Sequence, residues 1–281
     1  MIELPEAITI ARQINEELKG HEIVFAQRGY SPHKFAFTGK YSHEEFARMV
    51  PGKTIDGARA DGWVILLDLE PGYLLSLGCG GERILFHENE KTLPKKHQLI
   101  LGFHDNSYLT VTITGWGEVR LLEQSDLSNH PHIKKDAISP LSKAFTFDYF
   151  NKLFDSLPEK KQTQQTSAKY FIISEPGVWG VGNGCLQDIL YRAKIHPKRQ
   201  MLSLSANERK TLYHAIVQTL TKMVELGGRD SEYDLHNQPG RYNRILQSKS
   251  VGQSCPECGA LIARISYLGG TVYFCSSCQV E

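Results

Sequence analysis

The chain is poor in cysteine, with six in 281 residues, which excludes a disulfide-stapled scaffold and fits a reducing compartment. It has no apolar run near the ~18 residues that a membrane-spanning helix needs. Its first residues, Met1-Ile2-Glu3-Leu4-Pro5-Glu6, lack the basic stretch and apolar run of a secretory leader, so the expected location is cytoplasmic, with no membrane partner. It has no excess of either charge: 32 basic side chains stand against 31 acidic ones, a net +1. Global electrostatics therefore demands no polyanion, and a nucleic-acid partner would need a locally basic face. Internal repeats are absent, and low complexity is confined to Lys160–Ser167, read as a solvated polar loop. At 41% hydrophobic and 22% charged, the composition is that of a globular protein long enough for two ordinary domains and a minidomain.

Four of the six cysteines form two pairs, Cys255-Pro-Glu-Cys258 and Cys275-Ser-Ser-Cys278, with sixteen residues between them. Each pair sets two thiolates on a tight turn, and four such sulfurs can close a tetrahedron around Zn²⁺. A ribbon this short buries little core, so the metal would be structural and would largely fold it. A redox dithiol is the competing reading of either pair alone. Cys79 and Cys185 stand outside the pattern.

Residues 5 to 19 read as a helix: Pro5 at its start, Glu6 in its first turn, Ala7, Ile10, Ala11, Ile14 and Leu18 at helical spacing, Gly20 at its end. Residues 21 to 123 have β texture, with short apolar, β-branched segments such as Trp63–Leu69, Tyr73–Leu77 and Tyr108–Thr114 between Gly-rich breaks. That spacing predicts an antiparallel sandwich or barrel. Residues 124 to 140 read as a linker. From 141 the texture is helical, with helices expected at Leu141–Leu157, Leu186–Lys194 and Asn207–Leu226. Residues 229 to 250 read as a polar linker before a ribbon at 251–281. The expected domains are 1–123, 141–250 and 251–281, an α+β, multi-domain chain.

Three further motifs each have two readings. Gly180-Val181-Gly182-Asn183 precedes a helix; glycines there let a phosphate approach free N–H groups, but they also make a tight turn with an Asn cap. Leu77-Gly78-Cys79-Gly80-Gly81 is a strand end and turn, or a loop tip whose backbone enters a groove. Trp116, between Gly115 and Gly117, is a core residue beside two turns or an exposed wedge that stacks on a base.

Glu3-Leu4-Pro5-Glu6, Leu77-Gly78-x-x-Gly81, Gly180-Val181-Gly182-Asn183, Ile195-His196-Pro197 and the four-cysteine ribbon occur in the order seen in the formamidopyrimidine-DNA glycosylase / endonuclease VIII family, which the whole chain resembles. The resemblance implies an N-terminal helix with an antiparallel β-sandwich, then a helix–two-turn–helix domain and a zinc ribbon. Two lobes would hold damaged or abasic duplex DNA in a cleft, and the protein would be a monomer. The implied chemistry is base excision repair: removal of oxidised bases through a Schiff base on the N-terminal amine, then β-elimination at the abasic site. Met1, Ile2, Glu3 and Glu6 fall at the catalytic end, with Glu3 as the proton shuttle. His97, Cys79, Trp116, Asn183, Arg241 and Tyr242 fall at DNA-contacting positions, and Arg244 is a further phosphate candidate.

The sequence departs from the family pattern at four places. Ile2 stands where the nucleophilic proline is usual, so Met1 is expected to stay and to offer a primary amine displaced by one residue, roughly 3.5 Å of chain. The hairpin lysine has no counterpart in Arg59-Ala60-Asp61-Gly62-Trp63, and Lys53 is too far along the chain to stand in for it. Gly269 occupies the place of the ribbon arginine. Cys79 and Trp116 stand at the void-filling Met and Phe positions, with Thr114-Gly115 where two arginines are usual. These losses define a second reading, a catalytically degenerate protein that recognises DNA damage or DNA structure. A third is a fold turned to RNA or to a protein partner.

Overall fold

The computed structural model describes residues 1–159 and 163–281. The first three residues of the expected loop at Lys160–Ser167 lie outside the described residues; the remainder includes a single 3₁₀ turn at Gln164–Thr166. By contact, the chain divides into a first unit of residues 1–135 and 224–242 and a second of 136–223 and 243–281.

The first unit opens with α1 (Leu4–Leu18), whose Ala7, Ile10, Ala11, Ile14 and Leu18 are all buried, as the helical spacing requires. There follow β1 (Ile23–Arg28), β2 (Ala36–Phe37), α2 (His43–Met49), β3 (Thr54–Asp61), β4 (Val64–Glu70), β5 (Tyr73–Gly78), β6 (Glu82–His87), β7 (Leu99–Phe103), β8 (Tyr108–Ile113) and β9 (Gly117–Glu123). They form a five-stranded sheet in the order β2-β9-β5-β4-β3 and a four-stranded sheet in the order β1-β7-β8-β6. All pairings are antiparallel except the short one of β2 with β9. One core joins both sheets and α1. Each fully buried Leu or Ile in it contributes about 1.5–3 kcal/mol.

Strand β4 is apolar on both faces. Ile65, Leu67 and Leu69 enter the main core, while Val64 and Leu66 turn to a second, smaller cluster with Cys79, Trp63, Leu127 and Ile133. The period-two alternation of a strand makes that division, and it decides the fate of Cys79.

The second unit holds α3 (Phe147–Lys152), α4 (Ala168–Ile173), α5 (Asn183–Ala193), most of α6 (Ala206–Glu225) and the hairpin β10 (Ile262–Tyr267) with β11 (Gly270–Cys275). The expected single helix at Leu141–Leu157 is corrected to α3 and a 3₁₀ turn, Leu153–Ser156. Thr146 caps α3 by accepting the Tyr149 N–H, and Ser139, Ser142 and the backbone fold residues 139–146 into turns first. Tyr191 of α5 packs with Leu246, Ile262, Cys255 and Cys275 to back the ribbon. Buried Asp188 accepts the N–H groups of Ile245 and Leu246, each at 2.9 Å, and guides the chain into it.

The linker expected at 229 to 250 is also corrected. Arg229 and Tyr242 are buried, and this stretch is tied down through backbone bonds such as Asp230 N–H to Tyr242 O and Tyr242 N–H to Gly228 O.

Candidate functional site

The N-terminal end of α1 gathers the implied catalytic residues. The Met1 ammonium donates to Glu232 Oε2 at 2.7 Å, and Met1 is exposed. Ile2 is buried in the main core and its N–H donates to Gly80 O at 3.1 Å. Glu3 caps α1, and its N–H donates to Glu6 Oε2 at 3.0 Å. Both carboxylates are almost wholly buried.

Their charge partner is Arg229, which no sequence pattern singled out. Its Nη1 donates to Glu3 Oε1 at 2.9 Å and its Nη2 to Glu6 Oε2 at 2.7 Å. Nε donates to Glu6 Oε1 at 3.0 Å, the backbone N–H to the same oxygen at 2.9 Å, and Nη2 also to Met1 O at 2.8 Å. Only the planar fork of arginine reaches two carboxylates and a carbonyl at once. Two glycines make room for it. A Cβ on Gly228, which sits at φ +102°, would lie 3.2 Å from the Glu6 side chain; one on Gly240 would lie 2.3 Å from the Gly228 backbone. Glu3 thus faces a fixed cation two residues from the terminal amine.

The predicted DNA-contacting residues in this unit fare unequally. Trp116 is 38% exposed at the tip of the β8–β9 turn. Arg241 is exposed and its N–H is tied to Leu226 O. His97 is buried, stacked on Tyr30 with ring centroids 4.8 Å apart; its Nδ1 lies 3.3 Å from Pro94 O and its Nε2 has no partner among the described residues. Cys79 is corrected: it is buried among Val64, Leu66 and Trp63, at φ +76°, and cannot act as a wedge. Burial pushes its thiol far above the usual range, with Glu118 and Glu82 adding to the shift. Tyr242 is corrected too, since its ring is buried and offers no face to a base.

The positions of the missing cations have clear local reasons. Gly62, at φ +62°, makes the β3–β4 turn where the hairpin lysine was sought. Lys53 is engaged elsewhere, on Pro71 O at 3.2 Å and over the Tyr73 ring at 4.1 Å. Leu268 (φ +48°) and Gly269 (φ +70°) form the two-residue turn of the β10–β11 hairpin, and left-handed backbone at both positions favours glycine over arginine.

In the second unit, Asn183 begins α5. Its Nδ2 donates to Thr271 O at 3.0 Å, while its buried Oδ1 has no partner among the described residues. Beside it Lys169, missed in the sequence, donates from Nζ to Tyr267 O at 2.6 Å, and a Cβ on Gly270 would lie 3.2 Å from that Nζ. Burial lowers the Lys169 pKa. Gln187 joins them, donating to Thr271 O at 3.3 Å and accepting the Tyr273 N–H at 3.0 Å. An amide and a buried lysine thus meet the start of α5 at the hairpin.

The four ribbon cysteines lie with all sulfurs within 4.8 Å of one another. Cys255 and Cys278 sulfurs are 3.8 Å apart, and those of Cys258 and Cys275 are 3.4 Å apart. Those spacings are close to the roughly 3.8 Å edge of a tetrahedron with 2.3 Å metal–sulfur bonds, so the residues fit a metal ion.

Comparison with known proteins agrees with this geometry. The family profile described as formamidopyrimidine-DNA glycosylase N-terminal domain matches residues 1–113, and that described as formamidopyrimidine-DNA glycosylase H2TH domain matches residues 137–234. A formamidopyrimidine-DNA glycosylase of Listeria innocua is 30% identical over 241 residues, 84% of this chain and 85% of that one. One from Lactococcus lactis subsp. cremoris is 26% identical over 99% of both chains. Among solved structures, a Lactococcus lactis Fpg in complex with DNA containing an abasic site superposes with a TM-score of 0.84 at 23% identity, covering 99% of this chain and all of that one. A complex of the same protein with DNA containing N7-benzyl-Fapy-dG gives 0.85 at 24%. With its helix-capped sandwich, its helical second unit and its four-cysteine hairpin, this chain belongs to the formamidopyrimidine-DNA glycosylase family.

Proposed function

We propose that the protein is a base-excision-repair DNA glycosylase with AP-lyase activity, acting on duplex DNA that carries a damaged base or an abasic site. One observation carries the chemistry: an exposed N-terminal amine at the head of a helix whose first turn holds the buried carboxylates Glu3 and Glu6. In the reaction the amine of Met1 attacks the sugar C1′, the bond from C1′ to the base breaks and the base leaves protonated; the C1′–O4′ bond then opens as O4′ takes a proton, the amine gives up its proton, and an imine remains. Loss of a C2′ proton then expels the 3′ phosphate. The Met1–Glu232 ion pair must open first, because attack needs the nitrogen lone pair. Glu3 is the proton shuttle, and it must leave Arg229 to move a proton.

Trp116 and Arg241 are the exposed members of the DNA-contacting set, and Asn183, beside Lys169, is the phosphate contact of the second unit. His97 joins that set only if its buried Nε2, which has no partner among the described residues, becomes exposed on binding. Cys255, Cys258, Cys275 and Cys278 hold a structural Zn²⁺, which supplies folding energy to the hairpin and no chemistry.

The Arg229 fork favours a second reading. A guanidinium that satisfies Glu3, Glu6 and the Met1 carbonyl together is a resting arrangement without a free proton shuttle, as in a damage-binding protein that has lost the chemistry. Incision of a labelled abasic duplex separates the two. Cleavage by the wild type that drops at least tenfold in Glu3→Gln establishes the enzyme; tight binding without cleavage establishes the binder.

A further inference from the structure

We propose that Glu232 is the catalytic base of the Met1 amine: it holds the ammonium at the head of α1 and takes its proton before attack. The inference deepens the reading above and rests on it. The Met1 nitrogen lies 2.7 Å from Glu232 Oε2, inside the reach that proton transfer needs. Glu232 belongs to a stretch that reads as polar linker, 231 residues along the chain from the amine. Its side chain is 20% exposed and that of Met1 57%, so a mostly buried carboxylate meets an amine open to a substrate. Two exposed ions that meet on a surface contribute little and keep no fixed geometry; this carboxylate is fixed.

Arg229 and Glu232 share one turn, closed by the Glu232 N–H on Arg229 O at 3.0 Å, and that turn grips Met1 at both ends. Arg229 Nη2 donates to Met1 O at 2.8 Å, while Glu232 accepts from the Met1 nitrogen. The Ile2 N–H donates to Gly80 O at 3.1 Å, so the planar Met1–Ile2 peptide is held at its oxygen and at its nitrogen. Rotation about the Met1 Cα–C bond is then the freedom left to the amine. The Glu232 carboxylate is itself set: Ser231 Oγ donates to Oε1 at 3.0 Å, and the Gly240 N–H donates to the Glu232 carbonyl at 3.0 Å. Farther on, Gln13 of α1 donates to Asp234 Oδ2 at 2.8 Å and accepts the Leu235 N–H at 3.0 Å, which ties this loop to the helix that the amine precedes.

Glu3 and Glu6 do not fill this role while Arg229 occupies them, since its fork takes Glu3 Oε1 and both oxygens of Glu6. Among the described residues the cation that Glu232 meets is the Met1 ammonium. In the step, the ammonium gives one proton to Glu232 Oε2; nitrogen keeps the electron pair of that N–H bond as its lone pair, and Glu232 becomes a neutral carboxylic acid. Two ions become two neutral groups, so they part without the Coulomb cost of separating opposite charges, and the amine turns to C1′. The two carboxylates divide the work: Glu232 serves the nitrogen, and Glu3 serves the sugar.

The test follows the rate of borohydride-trapped adduct on an abasic duplex, with the full-length protein at saturation. Glu232→Gln keeps a hydrogen-bond acceptor of the same length and takes no proton. The expected result is trapping at least about tenfold slower in Glu232→Gln, with duplex Kd and urea midpoint unchanged. Acetate, added at constant ionic strength so that phosphate contacts stay equally screened, should restore part of the rate in Glu232→Gln and leave the wild type unchanged. A residue with a merely structural role gives no such rescue. Glu232→Asp should keep more of the rate than Glu232→Gln. An equal rate in Glu232→Gln, or a fall that neither acetate nor Glu232→Asp relieves, overturns the proposal while the Met1 chemistry stands. No adduct from a wild type that binds the duplex sinks the Met1 chemistry and the part of Glu232 in it together.

Discussion

Arg229 is the residue that most changes what the sequence conveyed. Glu3 and Glu6 were legible as helix-starting acids, but their counter-ion lies more than two hundred residues away, in a stretch whose polar composition reads as linker. Composition cannot show that a polar residue is buried against two charges. We expect Arg229→Ala to lose about 3–5 kcal/mol, read as a lower urea midpoint, because two buried carboxylates lose their partner. Arg229→Lys should rescue little of it, since an ammonium cannot reproduce the fork; full recovery would show that charge alone matters. Cys79 and Tyr242 were misplaced for a similar reason. A short loop residue and a tyrosine beside arginines look exposed in sequence, whereas strand alternation and the return of the chain at Gly228 bury them.

Among the elements, α1, α5 and α6 were readable within a few residues, because long apolar periodicity marks them, and metal-spaced cysteines marked the ribbon but not its strands. Residues 141–157 were not, since serine and threonine turn chemistry competes with helix over that stretch. The ribbon should carry one Zn²⁺ per chain by elemental analysis, and Cys258→Ser should lose it, loosen the hairpin and weaken DNA binding while the first unit stays folded. Unchanged binding would remove the ribbon from the DNA grip. The loops around Trp116 should respond to pH. Burial pushes Glu82 up to about 8, against the backbone N–H donors that favour its charge. A carboxyl raised in the folded state binds its proton more tightly there than in the unfolded chain. Its contribution to stability is therefore greatest below pH ~4.5 and is lost as pH rises towards 8. The urea midpoint should fall over that window and fall less in Glu82→Gln. Gly240→Ala tests the close backbone approach beside Arg229: its Cβ would lie 2.3 Å from the Gly228 backbone, so a clear loss of stability is expected, and a cost below about 1 kcal/mol would show that the 228–240 contact yields readily.

At the scale of the whole molecule, the family and its fold were legible because five motifs kept their order along the chain, and the near-neutral charge did not hide them. What the motifs could not convey is how the lost proline, lysine and arginine are absorbed. The structure answers with a buried Ile2 and two glycine turns, at Gly62 and at Gly269. DNA affinity should still fall linearly with the logarithm of salt concentration, with a slope reporting several phosphate contacts; a flat dependence would point to another kind of partner. The central claim is that the Met1 amine does the chemistry on damaged DNA. Borohydride trapping on an abasic duplex, with intact mass and peptide mapping, tests it most directly. The account predicts a covalent adduct on the Met1 peptide; no adduct from a protein that demonstrably binds the same duplex would contradict it.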